Sequence, residues 1–462
     1  MTIKTAIIPT EQTFAKVHAD RQLHLEALCV FAAIGFFLDT DTYWKDEVVL
    51  KPAHTHRLDE EGYLLDSKPW FEWFYDPKPM TFDAAVDGYA RLFEEVLKEQ
   101  TYGQRVILPL SGGLDSRTQA TGLYRIGAEV SSYSYSFAQG YPESAIASAI
   151  AKVCEFDFEA FTIDSGYLWK VIDDLAKLNG CYSEFTSPRQ MAIIDQLGAK
   201  GDVFSLGHWG DVLFDSMGLP QLSDAELVDL LSKKLLKRGG LTLASTLWTT
   251  WGLDGDFLSY FKGRLATLLD GIAIPDSNAK LRAFKSLYWA PRWTSVNHSV
   301  FASVQPITLP YYDERLCRLI CTVPETYLKG RQLQIAYIQR YAPELASITW
   351  QDQRPFDLNN YHKNRFPYAM PYRVANKVKR TFNSILGKPY VQRNWELQFL
   401  GASNQAHLSA HLFESGLEDW IPETLVRDYV ADFYNQDALK NAHAINMLLV
   451  FAKFNQLNAL TF

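Results

Sequence analysis

Arg105-Val106-Ile107-Leu108-Pro109-Leu110-Ser111-Gly112-Gly113-Leu114-Asp115-Ser116-Arg117 is the stretch on which the fold turns. Arg105 to Leu110 is short and mostly apolar, as expected of a strand in a parallel sheet covered on both faces. Ser111 to Ser116 turns the chain. Arg117 to Arg125 then opens a helix, and Gly127 suits its C-terminal end. At a strand-to-helix turn the backbone N–H groups point outward and the helix dipole favours negative charge. Gly112 and Gly113 let a phosphate approach the main chain, and Ser111 and Ser116 offer hydroxyl donors. Asp115 repels a phosphate, so its expected partner is Mg²⁺, a hard cation that prefers carboxylate oxygens. The lysine of a GxxxxGK[ST] loop is missing, which excludes that class. A strand–turn–helix corner without a ligand is the plain alternative. Against it, the five fixed residues of S-G-G-x-D-S, at about 5–7% each, match by chance roughly once per million positions. Leu110 and Phe137, each at the end of a predicted strand, border the same nucleotide site. Arg117 either adds a phosphate contact from the first helical turn or points to solvent.

Strands and helices alternate on both sides of this loop. Phe82, Ala85, Val86, Tyr89, Phe93, Val96 and Leu97 recur at helical spacing ahead of it. After it come a strand over Val130–Phe137, a helix over Glu143–Val153 and a strand over Phe156–Ile163. A long helical stretch then leads to a strand over Val203–Leu206. The pattern predicts an α/β fold with a doubly wound parallel sheet, and from about 220 onward the chain reads as mainly helical. Residues 1–78 read instead as short strands and turns, a small β-rich unit ahead of a 79–462 sheet-and-helix unit. Within it, Pro52–Leu58 followed by the acidic, Gly-containing turn Asp59–Tyr63 predicts a hairpin. Ala27–Leu38 is apolar throughout and reads as a buried strand or helix, too short to span a bilayer. Tyr361–Lys388 is basic, is broken by Pro367 and Pro371, and reads as a surface loop or mobile segment.

Composition bounds the rest. The 462 residues are 47% hydrophobic and 21% charged, enough apolar material for a large core. A net charge of −8 argues against a general nucleic-acid binder. The five cysteines are scattered with no CxxC pair, which predicts reduced thiols and a cytoplasmic setting. The N-terminal residues lack the order of a signal peptide.

A second loop, Gly207-His208-Trp209-Gly210-Asp211-Val212, follows the Val203–Leu206 strand. Loops beyond the carboxyl ends of neighbouring parallel strands meet at one crevice, so Asp211 is expected to face Asp115 across a Mg²⁺–pyrophosphate. A Gly-rich turn with a capping Asp is the alternative.

Taken in order, S-G-G-L-D-S at 111–116, the Gly207–Asp211 loop, Leu309-Pro310-Tyr311-Tyr312-Asp313-Glu314-Arg315-Leu316 and Val323-Pro324-Glu325 resemble the synthetase domain of the asparagine synthetase family, a PP-loop ATP pyrophosphatase type. Residues 27–63 look like the closing strands of that family's glutaminase domain. The resemblance implies ATP and Mg²⁺ as cofactors, a carboxylate activated as an acyl-adenylate, and transfer of the acyl group to an amine. It places pyrophosphate on Ser111, Gly112, Gly113, Asp115 and Ser116, with Gly207 and Gly210 beside them, and Mg²⁺ on Asp115 and Asp211.

Several positions depart from the family. Thr2 stands where its glutaminases carry a nucleophilic Cys, and the glutaminase body is too short, so glutamine hydrolysis is not expected. His208 and Val212 replace acidic residues of the family loop. His208 is a candidate base for the attacking amine or a packed turn residue. The family lysine after Val-Pro-Glu has no counterpart in Gln332–Ile338, and Lys329 and Arg331, about one turn earlier, are candidate substitutes. The expected function is an AMP-forming amide ligase with small-molecule carboxylate and amine substrates, in surface-polysaccharide or natural-product assembly. A homodimer is compatible, and neither nucleic-acid binding nor membrane insertion is expected. A nucleotide-binding pseudoenzyme acting as a scaffold is the alternative, and a sulfur- or tRNA-modifying PP-loop enzyme is disfavoured by the absence of a basic surface and catalytic cysteines.

Overall fold

The computed structural model describes residues 1–141, 144–385 and 390–458, apart from the side chains at 383 and 384. Its first part contains β1 (Thr2–Lys4), β2 (Phe14–Lys16), α1 (Leu25–Ile34), β3 (Glu47–Val49), β4 (His54–Leu58) and β5 (Leu64–Pro69). β4 and β5 form the expected hairpin, β1 adds to its edge, and β2 pairs with β3. In the hairpin turn Asp59 Oδ1 accepts the N–H groups of Glu61 and Tyr63 at 3.0 and 2.8 Å.

α1 resolves the apolar stretch as a helix, not as closing strands of a β domain. Every residue from Ala27 to Ile34 is buried, so no polar face exists whose period could separate helix from strand. Gly35 ends the helix at φ +83, donating its N–H to Phe31 O at 2.8 Å.

The middle of the chain follows the alternation read from sequence. α2 (Phe82–Gln100), capped by the Thr81 side chain, leads into β6 (Val106–Pro109) and α3 (Leu114–Arg125). Then come β7 (Val130–Phe137), α4 (Ser144–Val153), β8 (Asp157–Ile163), α5 (Leu168–Asn179), β9 (Val203–Ser205) and β10 (Ile307–Thr308). The five strands β6 to β10 form one all-parallel sheet in the order β10-β9-β6-β7-β8. The chain enters at the central strand, winds outward through β7 and β8, and returns on the other side as β9 and β10. Loops after β6 and β9 therefore leave adjacent strand ends in opposite directions, which opens a crevice between them.

Both faces of the sheet are covered. Val106 and Leu108 enter a core with Val86, Tyr89 and Phe93 of α2, while Ile107 enters the other core with Ile172 and Leu175 of α5. That alternation is the period of a strand buried on both sides. Most of the remainder is helical, including α6 (Ala290–Ala302), α7 (Gln332–Tyr341), α8 (Met370–Ile385) and α9 (Ala438–Asn458). α9 is buried along most of its length and meets α1, where Phe31 and Phe451 lie edge to face at 5.9 Å.

The stretch expected as a surface loop or mobile segment is largely α8, a helix of 16 residues. Pro371 falls in its first turn, where a missing N–H breaks no helical bond. Lys388, the end of that stretch, lies outside the described residues. No helix among the described residues is long and apolar enough to cross a membrane.

Candidate functional site

A cleft of about 730 Å³ opens beyond the carboxyl ends of β6, β7 and β9. Leu110, Ser111, Asp115, Ser116, Phe137, Gly207 and His208 all line it. The sequence-predicted loops are thus brought together at the crevice that the strand order creates.

The first loop is held by its own serines. Ser111 N–H donates to Ser116 Oγ at 3.1 Å, the two hydroxyls lie 2.9 Å apart, and Gly113 N–H donates to Ser111 Oγ at 3.2 Å. Gly113 is the N-cap of α3 and brings no side chain to cap it, so the first turn presents uncapped N–H groups to the cleft. Gly112 N–H donates instead to Gln351 Oε1 at 3.1 Å, and Gly112 O accepts from Gln351 N–H at 3.0 Å. The amide oxygen of Gln351 thus occupies the Gly112 N–H.

Arg117 corrects both expectations for it. It neither faces the cleft nor reaches solvent; it is completely buried. Nη1 donates to Leu345 O and Ile348 O at 3.2 and 2.8 Å, and Nη2 donates to Thr349 O at 2.7 Å and Gly112 O at 3.5 Å. Both Nη groups are spent on backbone carbonyls, and Nε, enclosed and without a partner among the described residues, does not line the cleft. The guanidinium instead fastens residues 345–349 beside the loop and positions Gln351. Burial lowers its pKa to about 10, which leaves it charged at neutral pH.

The second loop approaches the first too closely for any side chain but hydrogen. A Cβ on Gly210 would lie 2.1 Å from Asp115 Oδ1, and one on Gly207 would lie 2.8 Å from Gln119 Oε1. Between the glycines, Trp209 adopts φ +63 and donates its indole N–H to Thr294 Oγ1 of α6. Its ring lies 5.6 Å from Trp289 and 6.2 Å from Trp293. This wedge fixes the turn that carries Asp211 into the next short helix, Gly210–Leu213.

Asp115 is the centre of the site. Its Oδ1 accepts from Arg331 Nη2 and, at 3.3 Å, from Gln334 Nε2; its backbone carbonyl accepts from Tyr311 Oη at 2.7 Å. The side chain keeps 24% of its surface open. Burial pushes its pKa up to about 6, Arg331 pulls the other way, and the Asp211 charge pushes up again. The two carboxylates therefore feel each other, a repulsion that a divalent cation would relieve. Among the described residues no group of three or more His, Cys, Asp or Glu could hold a metal. A pair of carboxylates suits Mg²⁺, which is commonly held by one or two carboxylates together with phosphate oxygens and water.

Arg331 reaches Asp115 because Gly330 and Arg331 both turn left-handed, at φ +65 and +64, just before α7. A positive φ at a non-glycine is uncommon and here redirects a long cation onto Asp115. Lys329, the other candidate cation, is not brought to the cleft: it is exposed and lies over Gly218. Lys285 is partly buried, within reach of the Asp211 and Asp215 charges.

His208 lines the cleft with its Nδ1 enclosed and unpartnered, edge to face with His298 at 4.8 Å. Burial lowers its pKa to about 4, so the ring is neutral at pH 7.

Sequence reasoning missed Gln334, Gln351 and Arg189. Gln334 sits in the very stretch searched for a lysine and brings an amide to Asp115 instead. Arg189 lines the cleft, lies 5.5 Å from the Phe137 ring and has no carboxylate within salt-bridge distance among the described residues. It comes from a 3₁₀ turn, Arg189–Ala192, whose sequence carries no recognisable signal. The acidic residues of the two motifs after Leu309 have other tasks: Asp313 caps the helix Glu314–Ile320, and Glu325 forms a two-pronged pair with Arg282 at 2.6 and 2.8 Å.

No protein-family model matches the chain, and no curated protein matches it. Among solved structures, NMN synthetase from Francisella tularensis is similar at 13% identity, over 45% of this chain and 92% of that one, with a TM-score of 0.23. A likeness at that level carries no argument.

Proposed function

We propose that the chain is an ATP-dependent, AMP-forming ligase of the asparagine synthetase type, which activates a carboxylate and passes it to ammonia or another amine. The observation that carries this reading is the meeting of the 111–116 loop with the Gly207–Asp211 loop at the crevice of a parallel sheet, with Asp115 under pressure from Asp211. The uncapped α3 N-terminus and Gly112 N–H supply donors to a pyrophosphate. Asp115 and Asp211 would hold Mg²⁺, whose chemistry is to neutralise charge on the leaving pyrophosphate. Arg331 neutralises Asp115 until a cation arrives and is then free to turn to a phosphate oxygen. Arg189, which lines the cleft, binds an anionic group of the nucleotide or substrate. His208, neutral at pH 7, accepts a proton from the attacking amine or packs the turn; a cationic role would require it to overcome its burial. Surface-polysaccharide or natural-product assembly is the setting we assign by resemblance.

The test is ATP–pyrophosphate exchange across a panel of carboxylates. Mg²⁺-dependent exchange with one carboxylate class supports the reading. Nucleotide binding without exchange on any of them favours the scaffold reading, which the occupation of Asp115 by Arg331 and of Gly112 by Gln351 would then explain.

A further inference from the structure

α8 stands almost clear of the body of the protein. Only Tyr372 and Asn376 are partly covered among its described side chains, and the rest are exposed. Its apolar residues nevertheless follow one line. Met370, Val374, Val378 and Phe382 recur every fourth position, Ile385 continues the stripe, and their exposures run from 42% to 77%. At 100° per residue they fall within one third of the helix circumference. Phe366 and Tyr368, just ahead of the helix, are 78% and 59% exposed. A large, contiguous apolar surface of this kind marks an interaction site.

Charge identifies the partner. Residues 361–385 contain six Lys and Arg and no Asp or Glu, in a chain of net charge −8. Lys363, Arg365, Arg373, Lys377, Lys379 and Arg380 are all exposed, and none has a carboxylate within salt-bridge distance among the described residues. On the wheel, Lys377, Arg373 and Arg380 lie along one edge of the stripe and Lys379 lies beyond the other. A helix with an apolar face, a basic polar face and exposed aromatic residues at its start is the pattern that lies in the plane of a bilayer interface. Long basic side chains then reach the headgroups while the apolar face sinks among the acyl chains.

We propose that α8 docks the protein onto an anionic membrane surface, lying on the bilayer without crossing it. The proposal does not rest on the ligase reading. Arg380 also lines the cleft, so docking would bring the cleft mouth close to the headgroups.

The full chain is sedimented with phosphatidylglycerol vesicles and, separately, with phosphatidylcholine vesicles. It is expected to pellet with the first and not the second, and to be released by high salt. Lys377→Gln with Lys379→Gln lowers partitioning by about fivefold for each charge removed. Phe382→Ser lowers it roughly tenfold or more, because the apolar contact is lost while every charge remains. These side chains are exposed, so circular dichroism and the melting temperature of the variants stay at wild-type values. Failure of the wild type to pellet with phosphatidylglycerol overturns the proposal. So does unchanged binding by Phe382→Ser, which would mean adsorption by charge alone. A dimer in size-exclusion chromatography that Phe382→Ser dissociates, without vesicle binding, would assign the stripe to a second copy of the chain and overturn it as well.

Discussion

Asp115 is held near pKa 6 by burial, although Arg331 opposes that shift. A carboxyl raised from its ordinary 3.8 binds a proton more readily folded than unfolded. Its contribution to stability is therefore fully present below about 4 and is lost as pH rises through about 6. Other shifted groups, among them Asp41, Glu47 and Asp215, give both proteins a slope, so it is the difference in urea midpoint between the metal-free wild type and Asp115→Asn that should shrink as pH rises through about 6. Mg²⁺ needs the ionised form, so Mg²⁺ affinity measured calorimetrically should weaken as pH falls through about 6. Asp115→Asn or Asp211→Asn should cut Mg²⁺-dependent pyrophosphate exchange by about a hundredfold or more, with the circular dichroism spectrum unchanged. Retained exchange in either variant would remove that residue from the metal site. For His208, a pKa near 4 predicts no inflection from this ring between pH 6 and 8. His208→Ala should spare pyrophosphate exchange and slow amide formation if the ring takes the amine's proton. Wild-type rates in both assays would leave it a packing residue.

At the scale of elements, Arg117 on α3 and the 345–351 segment act as a clamp over the 111–116 loop. Arg117→Met keeps the length of the side chain but leaves buried carbonyls without donors, and should destabilise the protein by about 3 kcal/mol or more. A change below about 1 kcal/mol in denaturant unfolding would show that those carbonyls find other partners. Gln351→Ala leaves the clamp but frees Gly112 N–H, and should tighten pyrophosphate binding by up to about tenfold, the worth of one displaced hydrogen bond. Weaker binding would mean that Gln351 contacts the ligand instead of standing in for it. β6, α3 and β7 were legible in sequence because apolar runs, glycines and helical spacing are local signals. The partners of Asp115 were not. Arg331, Gln334 and Tyr311 come from residues more than 190 positions away, and a left-handed turn aims the first of them. α8 was misread because two prolines suggest interruption, whereas Pro371 falls where a helix tolerates it.

Across the whole molecule, α1 joins the start of the chain to the core built around α9. Phe31 is fully buried, stacks on Phe37 at 4.4 Å and meets Phe451. Phe31→Ala should cost about 3–5 kcal/mol. The loss should appear in one cooperative transition, followed by tryptophan fluorescence and far-ultraviolet circular dichroism together. Two separated transitions would show that residues 1–78 unfold on their own. The alternation of strand and helix announced the sheet, but a helix buried all round offers no period, so this union of N-terminal and C-terminal parts could not be read from sequence. The buried guanidinium also bears on how such a loop can be inherited or engineered. Residues 110–117 are not a portable cassette: moved alone into another sheet, they would carry a charge whose four carbonyl partners include three left behind at 345–349. A graft that omits that distant segment would have to give up Arg117 together with the address from which it came.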